Sequence, residues 1–282
     1  MNDNFSSSLY VHSSPSSPNQ NPIVVLLHGG GLSGRLYEPQ FKRLSDSFRC
    51  LAPDLPGHGK SGQIKPFTLE DAARRVADSI VGHAQDGKAF VVGLSLGGAV
   101  ALTLLRTRPD LVKKLLLTGT PYRISRCAQL VELSLFVLLR KHSTYVDFSK
   151  MLLRPTYAIM NPDTMASLSS KQLGILPEFH EAFVEEMRIG NTLDNMSTML
   201  EELPKIRIPS KTEISETPLP PILVCYGEKE NWVAKWSAKR LYMETKELNK
   251  ECKGVMNPDL FASTIKSWFH RDRLPEGLTE MP

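Results

Sequence analysis

The chain has 282 residues, 41% of them apolar and 23% charged, with a formal net charge of +4 at pH 7. No apolar run approaches the ~18 residues that a membrane-crossing helix needs, and so mild a positive balance points to neither nucleic acid nor an acidic membrane surface. Length and apolar content suit one large core with room for an insertion.

Four cysteines, Cys50, Cys127, Cys225 and Cys252, lie far apart without paired spacing, which suggests a reducing compartment and no metal site. The start, Met1-Asn-Asp-Asn4, shows neither the basic segment nor the apolar run of a secretory signal, so a cytoplasmic location is expected. Residues 1–22 are rich in Ser, Asn and Pro; an edge strand is expected over 8–11 and a loop over 13–22. The next run, Ile23-Val-Val-Leu-Leu27, reads as a buried strand ending at His28-Gly-Gly-Gly31. A helix over 34–47 and a short strand at Cys50-Leu-Ala52 follow, then the loop Asp54-Leu-Pro-Gly-His-Gly-Lys-Ser-Gly62. Thr68, with Asp71 three residues on, caps a helix whose apolar face is Leu69, Ala72, Ala73, Val76, Ala77, Ile80 and Val81.

Phe90-Val-Val92 reads as a buried strand, Gly93-Leu-Ser95-Leu-Gly-Gly98 as a tight turn, and 99–105 as a buried helix. A serine held in a strained turn needs glycine neighbours with no side chain to clash. Its hydroxyl then stands at a helix N-terminus, where free N–H groups and the helix dipole favour developing negative charge. Leu115-Leu-Leu117 is a further strand. Alternating strands and helices of this kind imply an α/β fold with a mostly parallel sheet covered on both faces. The rhythm breaks between about 121 and 217, where the pattern is helical with proline punctuation, and Pro220-Pro-Ile-Leu-Val-Cys-Tyr226 restores it. The domain organisation expected is therefore a core in two parts, 1–120 and 218–282, with a helical cap inserted over 121–217.

His28-Gly-Gly-Gly31, Asp54-x-x-Gly-x-Gly-x-Ser61, Gly93-x-Ser95-x-Gly97-Gly98 and Tyr226-Gly-Glu-Lys-Glu230 stand in the order seen in the α/β-hydrolase superfamily. The chain resembles its small esterase and meta-cleavage-product-hydrolase members with a helical cap, over about 8–120 and 218–269. The resemblance implies hydrolysis of a small ester or related acyl bond, a small-molecule substrate and no cofactor; it leaves substrate identity and oligomeric state open. It assigns Ser95 as nucleophile and the backbone N–H groups of Leu96 and Gly30 as oxyanion hole, with Gly31 as an alternative donor. It assigns Glu230 as the acid, with Glu228 as an alternative, and gives His28 and His58 structural roles.

The same resemblance calls for a histidine between the last strand and the last helix. That helix reads as 258–269, with Phe261, Ile265 and Trp268 facing inward. Upstream runs Leu248-Asn-Lys-Glu-Cys-Lys-Gly-Val-Met-Asn257, which holds no histidine and no apolar run resembling a last strand. Alignment would place the histidine at Glu251 or at Met256. The strand and its histidine loop read as shortened. Substitutes are His270, which follows the helix and so belongs at the wrong end, His142 or His180 from the cap, and Lys250 or Lys253 as partners of a Ser–Lys pair. Without a base, loss of the triad histidine costs on the order of a millionfold in turnover, so weak or absent hydrolysis is expected. Two other classes stay open. A ligand-binding or scaffolding protein could keep a pocket lined by Leu133, Phe136, Val137 and Met151. A dinucleotide-binding protein is suggested by Gly29-x-Gly31-x-x-Gly34, with Asp54 about 25 residues beyond the first glycine.

Overall fold

Five consecutive apolar residues, Ile23–Leu27, form a strand buried on both sides near the middle of an eight-stranded sheet. The structure, a computed structural model, describes residues 8–14, 20–123, 193–214, 218–227, 232–256, 261–271 and 279–281, with helical positions at 181, 184–186 and 189. The strands are β1 (Val11–Ser13), β2 (Ile23–Leu27), β3 (Arg49–Pro53), β4 (Ala89–Leu94), β5 (Val112–Thr118), β6 (Ile222–Tyr226), β7 (Lys253–Met256) and β8 (Thr279–Glu280). They lie in the order β1-β3-β2-β4-β5-β6-β7-β8. β1 and β8 run antiparallel to their neighbours at the two edges, and every pairing between them is parallel. The carboxyl ends of β2 to β7 therefore share one rim.

Because successive strand residues point to opposite faces, the sheet sorts its side chains into two cores. Val25, Leu27, Val91, Leu115, Leu117 and Val224 pack with helices α2 (Leu69–His83), α3 (Leu96–Thr107) and α5 (Trp232–Leu248). Val24, Leu26, Val92, Leu116 and Leu223 pack with α1 (Glu38–Leu44) and α6 (Phe261–Arg271) through Phe41, Leu44, Ile265, Trp268 and Phe269. The remaining described helix, α4 (Leu193–Glu202), belongs to the stretch expected as a cap. That stretch is otherwise mostly outside the described residues, as are Leu133, Phe136, Val137, Met151, His142 and His180.

Several expectations shift. The edge strand is Val11–Ser13 rather than 8–11, because register against Leu51–Pro53 decides it. Residues 34–47 make a short 3-10 turn, Gly34–Tyr37, before α1, with Pro39 entering at the first turn of the helix. Thr68 caps α2 as expected, its Oγ1 accepting from the Asp71 N–H at 3.1 Å, but Val81 in the last turn is 55% exposed. The last strand is short, four residues, and it is present. Lys253–Met256 pairs in parallel with β6 and is covered on its other side by β8. Its own residues do not announce it, and its neighbours' backbone groups do.

The unit at the centre depends on absent side chains. A β-carbon on Gly97 would stand 2.3 Å from the Leu27 carbonyl oxygen, and one on Gly93 2.6 Å from the Gly98 α-carbon. In both places the obstacle is backbone, so α3 could not keep its seat on the sheet. Gly97→Ala is expected to lower stability by about 1–3 kcal/mol or more, as overpacking does. Gly82→Ala in α2, where nothing lies within 4 Å, should instead gain up to about 1 kcal/mol from helix propensity. Urea unfolding midpoints of the two variants check the contrast; equal and small shifts would contradict it.

Candidate active site

Ser95 sits at the corner between β4 and α3 with φ 51° and ψ −115°, a left-handed conformation that costs a non-glycine residue on the order of 1–3 kcal/mol. Three backbone bonds hold it there. Its N–H donates to the Thr118 carbonyl at 3.0 Å, and its own carbonyl accepts from Gly98 N–H at 2.9 Å and Ala99 N–H at 3.2 Å. The side chain is half-buried, and among the described residues its hydroxyl makes no hydrogen bond.

The turn after β2 lies directly against this corner. A β-carbon on Gly29 would be 3.5 Å from Ser95 Cβ, and one on Gly30 3.9 Å from Leu96 Cβ. Gly30 and Leu96 are thus neighbours, and among the described residues neither backbone N–H donates to another group. Gly31, at φ 71°, forms the far side of the turn that the Leu32 N–H closes on the Gly29 carbonyl at 3.2 Å. Two free N–H groups beside a hydroxyl at a helix N-terminus are what a developing oxyanion requires.

His28 and His58 are fully buried. His28 Nε2 accepts from the Leu55 N–H at 2.9 Å, which leaves Nδ1 protonated and donating to the Gly29 carbonyl at 2.8 Å. Burial lowers its pKa below the usual histidine value. His58 Nδ1 bonds the Pro56 carbonyl at 2.9 Å, and burial first, then the neighbouring His28, pulls its pKa down to about 3. Both rings are structural and neutral at pH 7.

Of the other described histidines, His12 bonds Asp54 through Nε2 at 3.0 Å and His83 bonds the Ser79 carbonyl through Nδ1 at 2.8 Å. His270 stacks on Phe48 with ring centroids 4.5 Å apart. Phe48 precedes β3 and packs against Phe90, at the amino end of β4. Ser95 follows the carboxyl end of β4, so the six-residue strand separates them by roughly 20 Å, with His270 on the opposite face of the sheet. None of the five described histidines hydrogen-bonds Ser95.

The lysine substitutes fail for the same topological reason. Lys253 begins β7 at its amino end, with Nζ 5.5 Å from the Trp268 ring centre. Lys250 and Glu251 are exposed in the turn before it. The alignment that put the histidine near Glu251 is therefore corrected, and the other choice, Met256, is the last residue of β7. The segment between β7 and α6 is Asn257-Pro-Asp-Leu260; it lies outside the described residues and holds no histidine. Glu230 and Glu228, just after β6, also lie outside them.

Asp54 answers the dinucleotide expectation. Its carboxylate is fully buried, with Oδ1 accepting from His12 and from the Gly34 N–H at 2.8 Å, and Oδ2 accepting from the Lys60 N–H at 2.8 Å. It is engaged inside the fold and has nothing to offer a ribose. The glycine turn leads into four residues of 3-10 helix rather than an α-helix.

The part of the insertion that is described touches this rim at residues the sequence gave no reason to pick. Met199 of α4 places Sδ 3.4 Å from where a Gly30 β-carbon would be. The Asn195 side-chain amide donates to the Gly57 carbonyl, and Glu202, 133 residues distant in sequence, accepts from the Leu69 N–H at 2.9 Å at the start of α2. The Ser33 hydroxyl donates to Glu186. Two grooves of about 590 and 660 Å³ flank β1, and neither reaches Ser95. Among the described residues no helix is long and apolar enough to cross a membrane.

Comparison with known proteins agrees with this geometry. Residues 22–147 match the family model described as alpha/beta hydrolase fold. Over 92% of this chain and 95% of the other, the structure superposes on the enol-lactonase from Burkholderia xenovorans with TM-score 0.66 at 17% identity. A thermophilic esterase from Thermogutta terrifontis gives 0.63 at 20% identity over 93% of each chain. This chain has the α/β-hydrolase fold. Among relatives by sequence, a pimeloyl-[acyl-carrier protein] methyl ester esterase of Neisseria meningitidis serogroup C is 38% identical over 110 residues, 39% of this chain and 41% of that one. An AB hydrolase superfamily protein of Gibberella zeae is 37% identical over 97 residues, 34% of each. The hydrolase-fold chain thus spans about a third to two fifths of the length of these relatives. The family-model match, residues 22–147, includes the turn after β2 and the Ser95 corner.

Proposed function

We propose that this chain is a serine hydrolase of reduced power, acting on a small ester or related acyl compound through Ser95. In this reading the Ser95 hydroxyl attacks the acyl carbon, and the Leu96 and Gly30 N–H groups receive the charge that forms on the carbonyl oxygen, helped by the N-terminus of α3. Glu230 is the acid of the site, the 121–217 stretch covers it as a cap, and the substrate is a small molecule in the cytoplasm. The methyl ester esterase of Neisseria meningitidis, similar over two fifths of this chain, acts on the same class of bond.

The observation that carries the proposal is the Ser95 corner: a left-handed serine whose hydroxyl has no hydrogen bond among the described residues, beside two undonated N–H groups. The reduction in power follows from the base. Attack requires something to take the hydroxyl proton, and release of the acyl group requires the same help for water. Among the described residues no imidazole bonds Ser95; in this reading both steps fall to solvent, and what remains is the contribution of the cradle and of binding, about 10³–10⁴ over water.

A fluorophosphonate probe tests this. Slow covalent labelling is expected on the peptide that contains Ser95, absent from Ser95→Ala. No labelling of Ser95 after prolonged exposure would remove the hydrolase reading and leave a ligand-binding member of the fold.

A further inference from the structure

The turn that carries Gly30 is fastened at both ends, and residues of the insertion contact its middle. At its start, His28 is locked by its two ring hydrogen bonds. At its end, the Gly34 N–H is held by Asp54, and a β-carbon there would meet the Ala52 carbonyl oxygen at 2.1 Å. Between them, Met199 rests on Gly30, and Ser33, only 2% exposed, gives its hydroxyl hydrogen to the Glu186 carboxylate. The same hydroxyl oxygen accepts from the Arg35 N–H at 3.1 Å, so the hydroxyl's direction is fixed and Glu186 is its one acceptor among the described residues.

We propose that Glu186 is a positioning residue for the Ser95 chemistry: by holding the Ser33 hydroxyl it fixes the 29–33 turn, and with it the Gly30 N–H that receives the oxyanion. This rests on the reading of Ser95 as nucleophile. An oxyanion donor contributes only when it is aimed before the charge forms, and a turn with a glycine at φ 71° in its middle has a low intrinsic preference for one conformation. The contact lies three residues from the donor it steadies. Glu186 is half-buried, its pKa raised first by burial and then by the charge of Asp54, with the Ser33 hydrogen bond, Arg35 and His12 opposing. Its carboxylate accepts a charge-assisted hydrogen bond from Ser33, one of the stronger kind.

The test uses the full chain and two readouts, amide hydrogen exchange of the 29–33 turn and the rate of fluorophosphonate labelling at Ser95. Glu186→Ala is expected to speed exchange in the turn and to slow labelling, each by about tenfold, the scale of one lost charge-assisted hydrogen bond. Glu186→Gln, whose amide oxygen accepts the same bond, should restore both. Ser33→Ala removes the contact from the other side and serves where Glu186→Ala fails to fold. The double variant should be no worse than either single one, because residues that act through one contact are not additive. Unchanged exchange in the turn in both alanine variants would overturn the proposal, as would a Glu186→Gln variant no better than Glu186→Ala. If Ser95 is not labelled in the unaltered chain while the turn loosens in Glu186→Ala, the nucleophile reading falls and the hold of Glu186 on the turn stands.

Discussion

Hydrolysis of p-nitrophenyl acetate by this chain is expected to run within about tenfold of the Ser95→Ala variant, because serine and histidine act as one unit and losing either costs nearly as much as losing both. The comparison uses the protein's own variant as its reference, so the contribution of oxyanion hole and binding is present on both sides and cancels. His270 is not placed to act as the base, since it stacks on Phe48 at the amino end of the sheet and on the opposite face. His270→Ala should therefore leave the rate unchanged, and the same is expected of His142→Ala and His180→Ala. A Ser95-dependent rate thousands of times above the variant, abolished by one of these histidine changes, would identify the base.

The largest loss of stability is expected from Asp54→Ala. Asp54 is fully buried and gathers three donors from three parts of the chain: the His12 ring, the Gly34 N–H and the Lys60 N–H. Removing the carboxylate leaves these without partners in the interior, and breaking a buried charged contact from one side costs about 3–5 kcal/mol. That is a large share of the ~5–15 kcal/mol by which domains are stable at all. Asp54→Asn keeps one acceptor oxygen and should lose less. The pH dependence has a definite sign. Burial opposes the charge on Asp54, but the His12 hydrogen bond, the field of His28 and the Gly34 N–H outweigh it, and the folded pKa lies below the ordinary 3.8. The group therefore binds fewer protons folded than unfolded, its contribution is complete above pH 3.8, and it is lost as pH falls through the folded value. Urea midpoints of the unaltered chain and Asp54→Ala between pH 7 and 3 check both statements. Equal midpoints at pH 7 would contradict the first, and a gap that widens on acidification would contradict the second.

What was legible in the sequence follows how locally each feature is determined. Ile23–Leu27 and the Ser95 corner are written in consecutive residues, an apolar run and a glycine-flanked serine, and both stand where expected. The cap of α2 by Thr68 is equally local. Lys253–Met256 was not legible, because Lys-Gly-Val-Met has neither the length nor the alternation of a strand; pairing with Leu223–Tyr226 on one side and Thr279–Glu280 on the other makes it one. Contacts between residues far apart in the chain, such as His12 with Asp54, Glu202 with the start of α2, and Glu186 with Ser33, leave no mark in spacing or periodicity. That the segment between β7 and α6 holds no histidine was legible because it is a matter of composition: residues 257–260 contain none.

The pH dependence of covalent labelling at Ser95 tests most directly whether a base serves it. With solvent hydroxide as the only proton acceptor, the rate rises about tenfold per pH unit from roughly pH 6 to 9 without inflection. An imidazole in hydrogen-bond reach of Ser95 would instead give a sigmoid with its midpoint near the ordinary histidine pKa of about 6.5 and a plateau above it. The first profile is the one expected of this chain, and the second would contradict the account.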